Sequence, residues 1–96
     1  MKKQIAVWLL ATAALPAWAS LNVFATVPEW GALAKEIGGE QVTVYTATTA
    51  FQDPHRIEAR PSLLAQARRA QLLVAAGADL EIGWLPLVVR DSGNSA

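Results

Sequence analysis

Three apolar runs separated by segments of helical periodicity are the feature that most restricts how this chain can fold. The runs cover residues 21–27, 41–48 and 72–76, and the second alternates apolar with polar side chains more than the others. This β-α-β-α-β-α order predicts an α/β fold, a three-stranded parallel sheet with flanking helices as crossovers. Right-handed connections predict the strand order 2-1-3, with the half-polar second strand at an edge.

The first predicted helix follows the first strand directly. Pro28 and Glu29 suit its first turn, because proline loses no hydrogen bond there and a carboxylate favours the N-terminal dipole. Four apolar residues then recur at helical spacing: Trp30, Leu33, Ala34 and Ile37. We expect this stripe to pack on the sheet, and we expect Gly38 and Gly39 to end the helix in a left-handed cap.

The two remaining helices are predicted on either side of the third strand. Residues 61–70 carry an inward apolar stripe, and Ser62 is expected to cap the N-terminus. Residues 80–89 have a helical pattern that Pro86 should kink or interrupt, and Trp84 is expected to be a core residue. The third apolar run between these helices is typical of a central parallel strand.

Residues 1–19 have the pattern of an export signal. Two lysines at the start are followed by an apolar run too short to span a bilayer and by a small-x-small site that ends at Ala19. We predict cleavage after Ala19, which leaves residues 20–96 as one α/β domain. The chain has no cysteine for a disulfide or for lipid anchoring. A free periplasmic protein, not embedded in the membrane after cleavage, is the simplest interpretation.

The charge of the predicted mature segment restricts the class of partner. The two signal lysines leave six basic residues against eight acidic ones, a net charge of minus two. A nucleic-acid-binding protein needs a basic surplus gathered on one face. The composition therefore argues against a nucleic-acid partner.

The only histidine, His55, lies between two prolines in a polar loop that covers residues 49–61. Pro54 fixes its own φ and stiffens the backbone that leads into His55. The loop follows the second strand, and ligands of open parallel sheets bind at the carboxyl ends of the strands. One histidine without cysteine cannot by itself complete a four-coordinate metal site. An ordinary surface histidine is the alternative.

Other chemical motifs are absent from the sequence. Gly38 and Gly39 end a helix, whereas a dinucleotide-binding loop would open one, and no G-x-S-x-G nucleophile motif occurs. His55 and Glu58 do not form the two-histidine motif of zinc proteases. The residues alone therefore give no complete catalytic site.

Four segments in this order resemble the N-terminal portion of the zinc/manganese substrate-binding proteins of bacterial metal-uptake ABC transporters. They are FATVPEW at 24–30, IGGEQV at 37–42, DPHRIEARPS at 53–62 and ADLEIGWL at 78–85. Members of that family are two-lobed, with a metal ion between two α/β lobes that is typically held by three histidines and one carboxylate. The resemblance implies that His55 is the first metal ligand, that Asp53 orients its loop and that Glu81 is structural.

On this resemblance the chain is expected to be a binding protein and not an enzyme. It would capture Zn²⁺ or Mn²⁺ in the periplasm and deliver the ion to the membrane permease of an ABC transporter. Residues 20–96 would form the N-terminal lobe, truncated before the C-terminal lobe. One alternative is a metal-dependent hydrolase half-site that uses His55 with Glu58 as base. Another is a secreted structural or interaction module that binds no metal.

Overall fold

The computed structural model describes residues 20–94, so the predicted signal segment, residues 1–19, lies outside the described residues. The helices and strands follow the expected alternation: β1 Leu21–Ala25, α1 Pro28–Gly38, a short 3-10 helix Gly39–Gln41, β2 Val42–Thr46, α2 Pro61–Arg69, β3 Leu72–Val74 and α3 Leu85–Ser92. None of the helices described within residues 20–94 has the length and hydrophobicity of a transmembrane span.

The three strands form one parallel sheet in the order β2-β1-β3. Leu21 lies opposite Val42 in the β1–β2 pair, and Val23 lies opposite Leu72 in the β1–β3 pair. The predicted fold class and strand order are therefore confirmed. Because all strands are parallel, the loops that follow β1, β2 and β3 meet at one edge of the sheet.

The core lies between the sheet and the pair formed by α2 and α3. Its central members are fully or almost fully buried: Phe24 from β1, Leu63 and Ala67 from α2, and Trp84 and Val88 at or within α3. Phe24 also packs against Tyr45 of β2, with ring centroids 5.6 Å apart. The core role predicted for Trp84 is confirmed.

The apolar stripe of α1 does not pack as predicted. Trp30 is 40% exposed and Ile37 is 78% exposed, so the expected burial of this stripe on the sheet is wrong. The helix approaches the sheet through its small residues instead: Gly31 is buried and lies so close to Thr46 that no Cβ would fit. The bulky residues of α1 consequently line an open apolar groove beside β3.

Three local expectations are also corrected. Arg60 is the N-cap of α2 and makes no side-chain cap hydrogen bond, whereas Ser62 lies inside the helix. The last helix begins at Leu85 and not at residue 80, so Pro86 lies in its first turn and does not kink it, because an N–H at that position would have no partner within the helix. The third strand is a sheet edge among the described residues, with Leu72 and Leu73 partly exposed, and is not central.

Gly39 ends α1 with a backbone conformation that only glycine adopts readily. Its φ of 56° is positive as predicted, but its ψ of −127° lies outside the left-handed helical region. A Cβ at this position would meet no heavy atom within 4 Å, so any cost of substitution comes from the backbone and not from a clash.

Gly39→Val is expected to lower the free energy of unfolding by about 1 kcal/mol or more, which lowers Tm by about 4–8 °C in a domain of this size. Thermal unfolding checks this. Gly93→Asn is the matched control, because Gly93 has φ 72° and ψ 14°, a left-handed helical conformation that asparagine tolerates. Equal melting temperatures for Gly39→Val and the wild type would contradict this role for Gly39.

Candidate metal site at the carboxyl ends of the strands

His55 lies in the loop between β2 and α2, at the edge of the sheet where the three strands end. Its side chain is 61% exposed. The preceding residue, Pro54, is partly buried, and its carbonyl oxygen accepts a hydrogen bond from a buried core side chain. The loop therefore presents an exposed imidazole on an anchored backbone.

Asp53 fixes the orientation of the imidazole. Its Oδ1 accepts a hydrogen bond from the His55 backbone N–H at 3.0 Å and lies 2.9 Å from the ring Nδ1. The backbone bond, and then the ring bond, hold the pKa of the Asp53 carboxyl below its usual value of 3.8. An ionised carboxylate can only accept hydrogen bonds, so the proton of the neutral ring resides on Nδ1. The lone pair is then on Nε2, which has no hydrogen-bond partner within residues 20–94.

Asp53→Ala is expected to move the His55 proton from Nδ1 toward Nε2, because the acceptor that selects the tautomer is removed. The ring ¹⁵N chemical shifts measure the tautomer directly, and they are unambiguous because the chain has only one histidine. Asp53→Asn is the control, since its amide oxygen can still accept from Nδ1–H. An unchanged tautomer ratio in Asp53→Ala would show that the contact does not orient the ring.

Glu81 lies beneath the loops of this edge and is 4% exposed. The Thr26 hydroxyl and the backbone N–H of Ala76, the latter at 2.6 Å, donate to its Oε2, and the Gly77 N–H donates to its Oε1 at 3.0 Å. The Thr48 hydroxyl in turn donates to the Thr26 carbonyl at 2.8 Å. One carboxylate thus ties the end of β1 to the segment that follows β3.

The environment of Glu81 keeps this carboxylate ionised. Burial raises its pKa, but the hydrogen bonds from the Thr26 hydroxyl and from the two backbone N–H groups together lower it by more, so the pKa lies below its usual value of 4.5. These donors occupy both carboxylate oxygens. The geometry agrees with a structural role for Glu81.

Comparison with known proteins identifies the family. A sequence model of the family described as zinc-uptake complex component A, periplasmic, matches residues 23–96. The chain belongs to this zinc-uptake component A family. No curated protein matches the sequence significantly.

The solved structures that are similar to this member of the zinc-uptake component A family include a ZnuA and an AdcA. A crystal structure of ZnuA aligns with a TM-score of 0.68 at 26% identity and covers 77% of this chain. The Zn(II)-bound AdcA from Streptococcus pneumoniae aligns with a TM-score of 0.63 at 22% identity and also covers 77%. The match covers 29% of the ZnuA chain and 16% of the AdcA chain, so this chain corresponds to a minor part of their length.

The structure brings only some of the sequence-predicted residues together in this family member. Asp53 and His55 are in direct contact, whereas Glu58 is exposed and makes no hydrogen bond or ion pair with His55 in the described part of the chain. Within residues 20–94, no group of three or more histidine, aspartate or glutamate residues is placed to hold a metal ion. The described residues thus offer one oriented imidazole and not a closed metal site.

Two features of the site had no signal in the sequence. The indole Nε1–H of Trp84 donates to the Pro54 carbonyl at 2.6 Å, although the two residues are thirty positions apart. Ala78 and Asp79 have φ values of 53° and 65°, uncommon for residues other than glycine, and they follow Gly77 with φ 80°. The Gly77 N–H at the start of this left-handed turn donates to Glu81, a contact that local sequence patterns do not predict.

Proposed function

We propose that this chain acts as the N-terminal lobe of a periplasmic solute-binding protein that captures zinc and passes it to the permease of an ABC transporter. The observation that carries the proposal is the His55 geometry: Asp53 binds Nδ1–H, and the ring is largely exposed with no hydrogen-bond partner for Nε2 within residues 20–94. Metal-binding histidines in proteins commonly donate their other ring N–H to a carboxylate in this way. Membership of the zinc-uptake family supports the same function.

Zinc is the ion that this arrangement suits best. A neutral imidazole nitrogen is a good ligand for Zn²⁺, and the bond to the Asp53 carboxylate fixes the ring orientation and leaves the lone pair on Nε2. The family is described by zinc uptake, and the structural neighbour AdcA is described as Zn(II)-bound. Manganese, which prefers oxygen ligands, is the second candidate.

Binding and release, not catalysis, is the proposed activity. A hydrolytic site would need a general base within hydrogen-bond reach of a metal-bound water. Glu58, the base that the sequence offers, makes no hydrogen bond or ion pair with His55 in residues 20–94, and both oxygens of Glu81 are engaged by protein donors. We infer that residues 1–19 export the chain and that the α/β lobe then works in the periplasm.

A metal titration followed by NMR of the single histidine tests this proposal. Zn²⁺ is expected to shift Nε2 and the adjacent ring protons of His55 while Nδ1 retains its proton, whereas Mg²⁺, which prefers oxygen ligands, leaves the ring unchanged. His55→Ala is expected to abolish the zinc-dependent changes elsewhere in the loop. A ring that responds to zinc no more than to Mg²⁺ would contradict the proposed function.

A further inference from the structure

The peptide unit between Pro54 and His55 is held at both of its polar atoms. Its carbonyl oxygen, on Pro54, accepts the Trp84 indole N–H at 2.6 Å. Its N–H, on His55, donates to Asp53 Oδ1 at 3.0 Å. Because a peptide unit is planar, two hydrogen bonds at opposite ends fix the rotation of the whole plane. The Cα of His55 belongs to that plane, so its position is set as well.

Trp84 is suited to act as a rigid anchor. Its side chain is 1% exposed and belongs to the core between the sheet and the helices α2 and α3. A buried indole has few accessible rotamers, and its N–H normally needs an acceptor. In this chain that acceptor is the Pro54 carbonyl in the loop that carries His55.

The backbone around Trp84 is attached to the sheet through Glu81. The Glu81 carbonyl accepts the backbone N–H of Trp84 at 3.2 Å and that of Leu85 at 2.9 Å. The Glu81 carboxylate is bonded to Thr26 beyond β1 and to Ala76 beyond β3. A continuous path of hydrogen bonds therefore runs from the ends of the strands through Glu81 and Trp84 to the backbone of His55.

Gly83 adds a second contact to the same loop. A Cβ placed on Gly83 would lie 3.3 Å from the carbonyl oxygen of His55, tighter than an ordinary van der Waals contact. The segment before Trp84 thus lies directly against the residue that carries the imidazole. Both carbonyls that flank the His55 Cα face the segment of residues 83–84.

We propose that Trp84 is the positioning residue for His55: its indole N–H holds the Pro54–His55 peptide so that Nε2 is presented in a fixed direction. This inference rests on the proposed function of His55 as a metal ligand. Trp84 itself does not touch the ion. It lowers the conformational freedom that the loop would otherwise lose when the metal binds. Residues that hydrogen-bond to metal ligands act in the same way at other metal sites.

The test compares Trp84→Phe with the matched control Trp30→Phe in the purified chain. Phenylalanine keeps a large buried ring at position 84 but removes the N–H donor. We expect zinc affinity, read from the His55 ring signals, to fall about tenfold in Trp84→Phe. The His55 amide should exchange its hydrogen faster, while exchange in β1 stays unchanged. Trp30→Phe, on the partly exposed face of α1, should alter none of these quantities.

Two results separate this inference from the proposed function. Unchanged zinc affinity and unchanged His55 amide exchange in Trp84→Phe would overturn the positioning role and leave His55 as a ligand. If His55 in the wild type does not respond to zinc, the proposed function fails. Faster amide exchange at His55 in Trp84→Phe would then still support the loop anchor.

A measurement on the wild type keeps the inference testable if Trp84→Phe does not fold. The Trp84 indole proton is expected to be strongly protected from solvent exchange, because it is buried and bonded to Pro54, whereas the Trp30 indole proton is not protected. Gly83→Ala is expected to shift the His55 amide signal and to weaken zinc binding. A rapidly exchanging Trp84 indole proton would overturn the proposal.

Discussion

Replacing Glu81 with alanine is expected to lower the free energy of unfolding by about 3 kcal/mol or more. The substitution leaves the Thr26 hydroxyl and the backbone N–H groups of Ala76 and Gly77 without their acceptor. A fully buried donor left unsatisfied, such as the Thr26 hydroxyl, costs about 1–3 kcal/mol, and the less buried N–H groups of Ala76 and Gly77 add smaller amounts. In the wild type, no buried side-chain nitrogen or oxygen among residues 20–94 lacks a partner. Since small domains are stable by only about 5–15 kcal/mol, this single change removes a large part of the total.

Urea unfolding of Glu81→Ala beside Glu58→Ala measures this effect. Glu58 is an exposed carboxylate of the neighbouring loop, so its removal should change stability by no more than about 0.5 kcal/mol. Equal stability losses for the two variants would show that the Glu81 contacts do not stabilise the fold.

The Glu81 contribution should also depend on pH. Its pKa is lower in the folded than in the unfolded state, so its stabilisation is complete above the unfolded value, about 4.5, and is lost as the pH falls through the folded-state pKa. Glu81→Gln carries no charge at any pH. The stability difference between wild type and Glu81→Gln should therefore be large at about pH 7 and shrink toward about pH 3. A difference independent of pH would contradict the ionised state of Glu81.

The strand order could be predicted from the sequence because it depends on the alternation of strands and helices and on chain chirality. The face of α1 that lies against the sheet could not be predicted, because the helical periodicity defines two candidate faces. One carries Trp30, Leu33 and Ile37, and the other carries Gly31 and Gly38. A small-residue face lets the helix backbone approach the sheet closely, as Gly31 does at Thr46. Hydrophobicity alone favoured the wrong face.

In the candidate site, the contact that is local in sequence could be predicted, whereas the long-range contacts could not. The contact between Asp53 and His55 is local, and an aspartate two residues before a backbone N–H commonly forms such a turn. The bonds from Trp84 to Pro54 and from Thr26 to Glu81 join residues far apart in sequence. Such contacts depend on tertiary packing, for which residue spacing carries no signal.

His55→Ala is expected to have the largest effect on metal binding. The described residues offer one imidazole and no group of three or more ligands, whereas tight zinc sites use about four. The chain alone should therefore bind zinc weakly. For a two-lobed protein, made by joining the remaining portion of ZnuA after this chain, the proposed function predicts tight zinc binding. In that protein, removal of a direct ligand should lower the zinc affinity by more than the 10- to 100-fold that is typical when a residue bonded to a ligand is removed.

Titration calorimetry of zinc into that two-lobed protein, with and without His55→Ala, tests the central claim that His55 is a metal ligand. The proposed function predicts tight, one-to-one binding that falls by more than about 100-fold in His55→Ala. Glu58→Ala should retain the wild-type affinity, because Glu58 makes no hydrogen bond or ion pair with His55 within residues 20–94. Near-normal zinc affinity in the His55→Ala protein would contradict the claim.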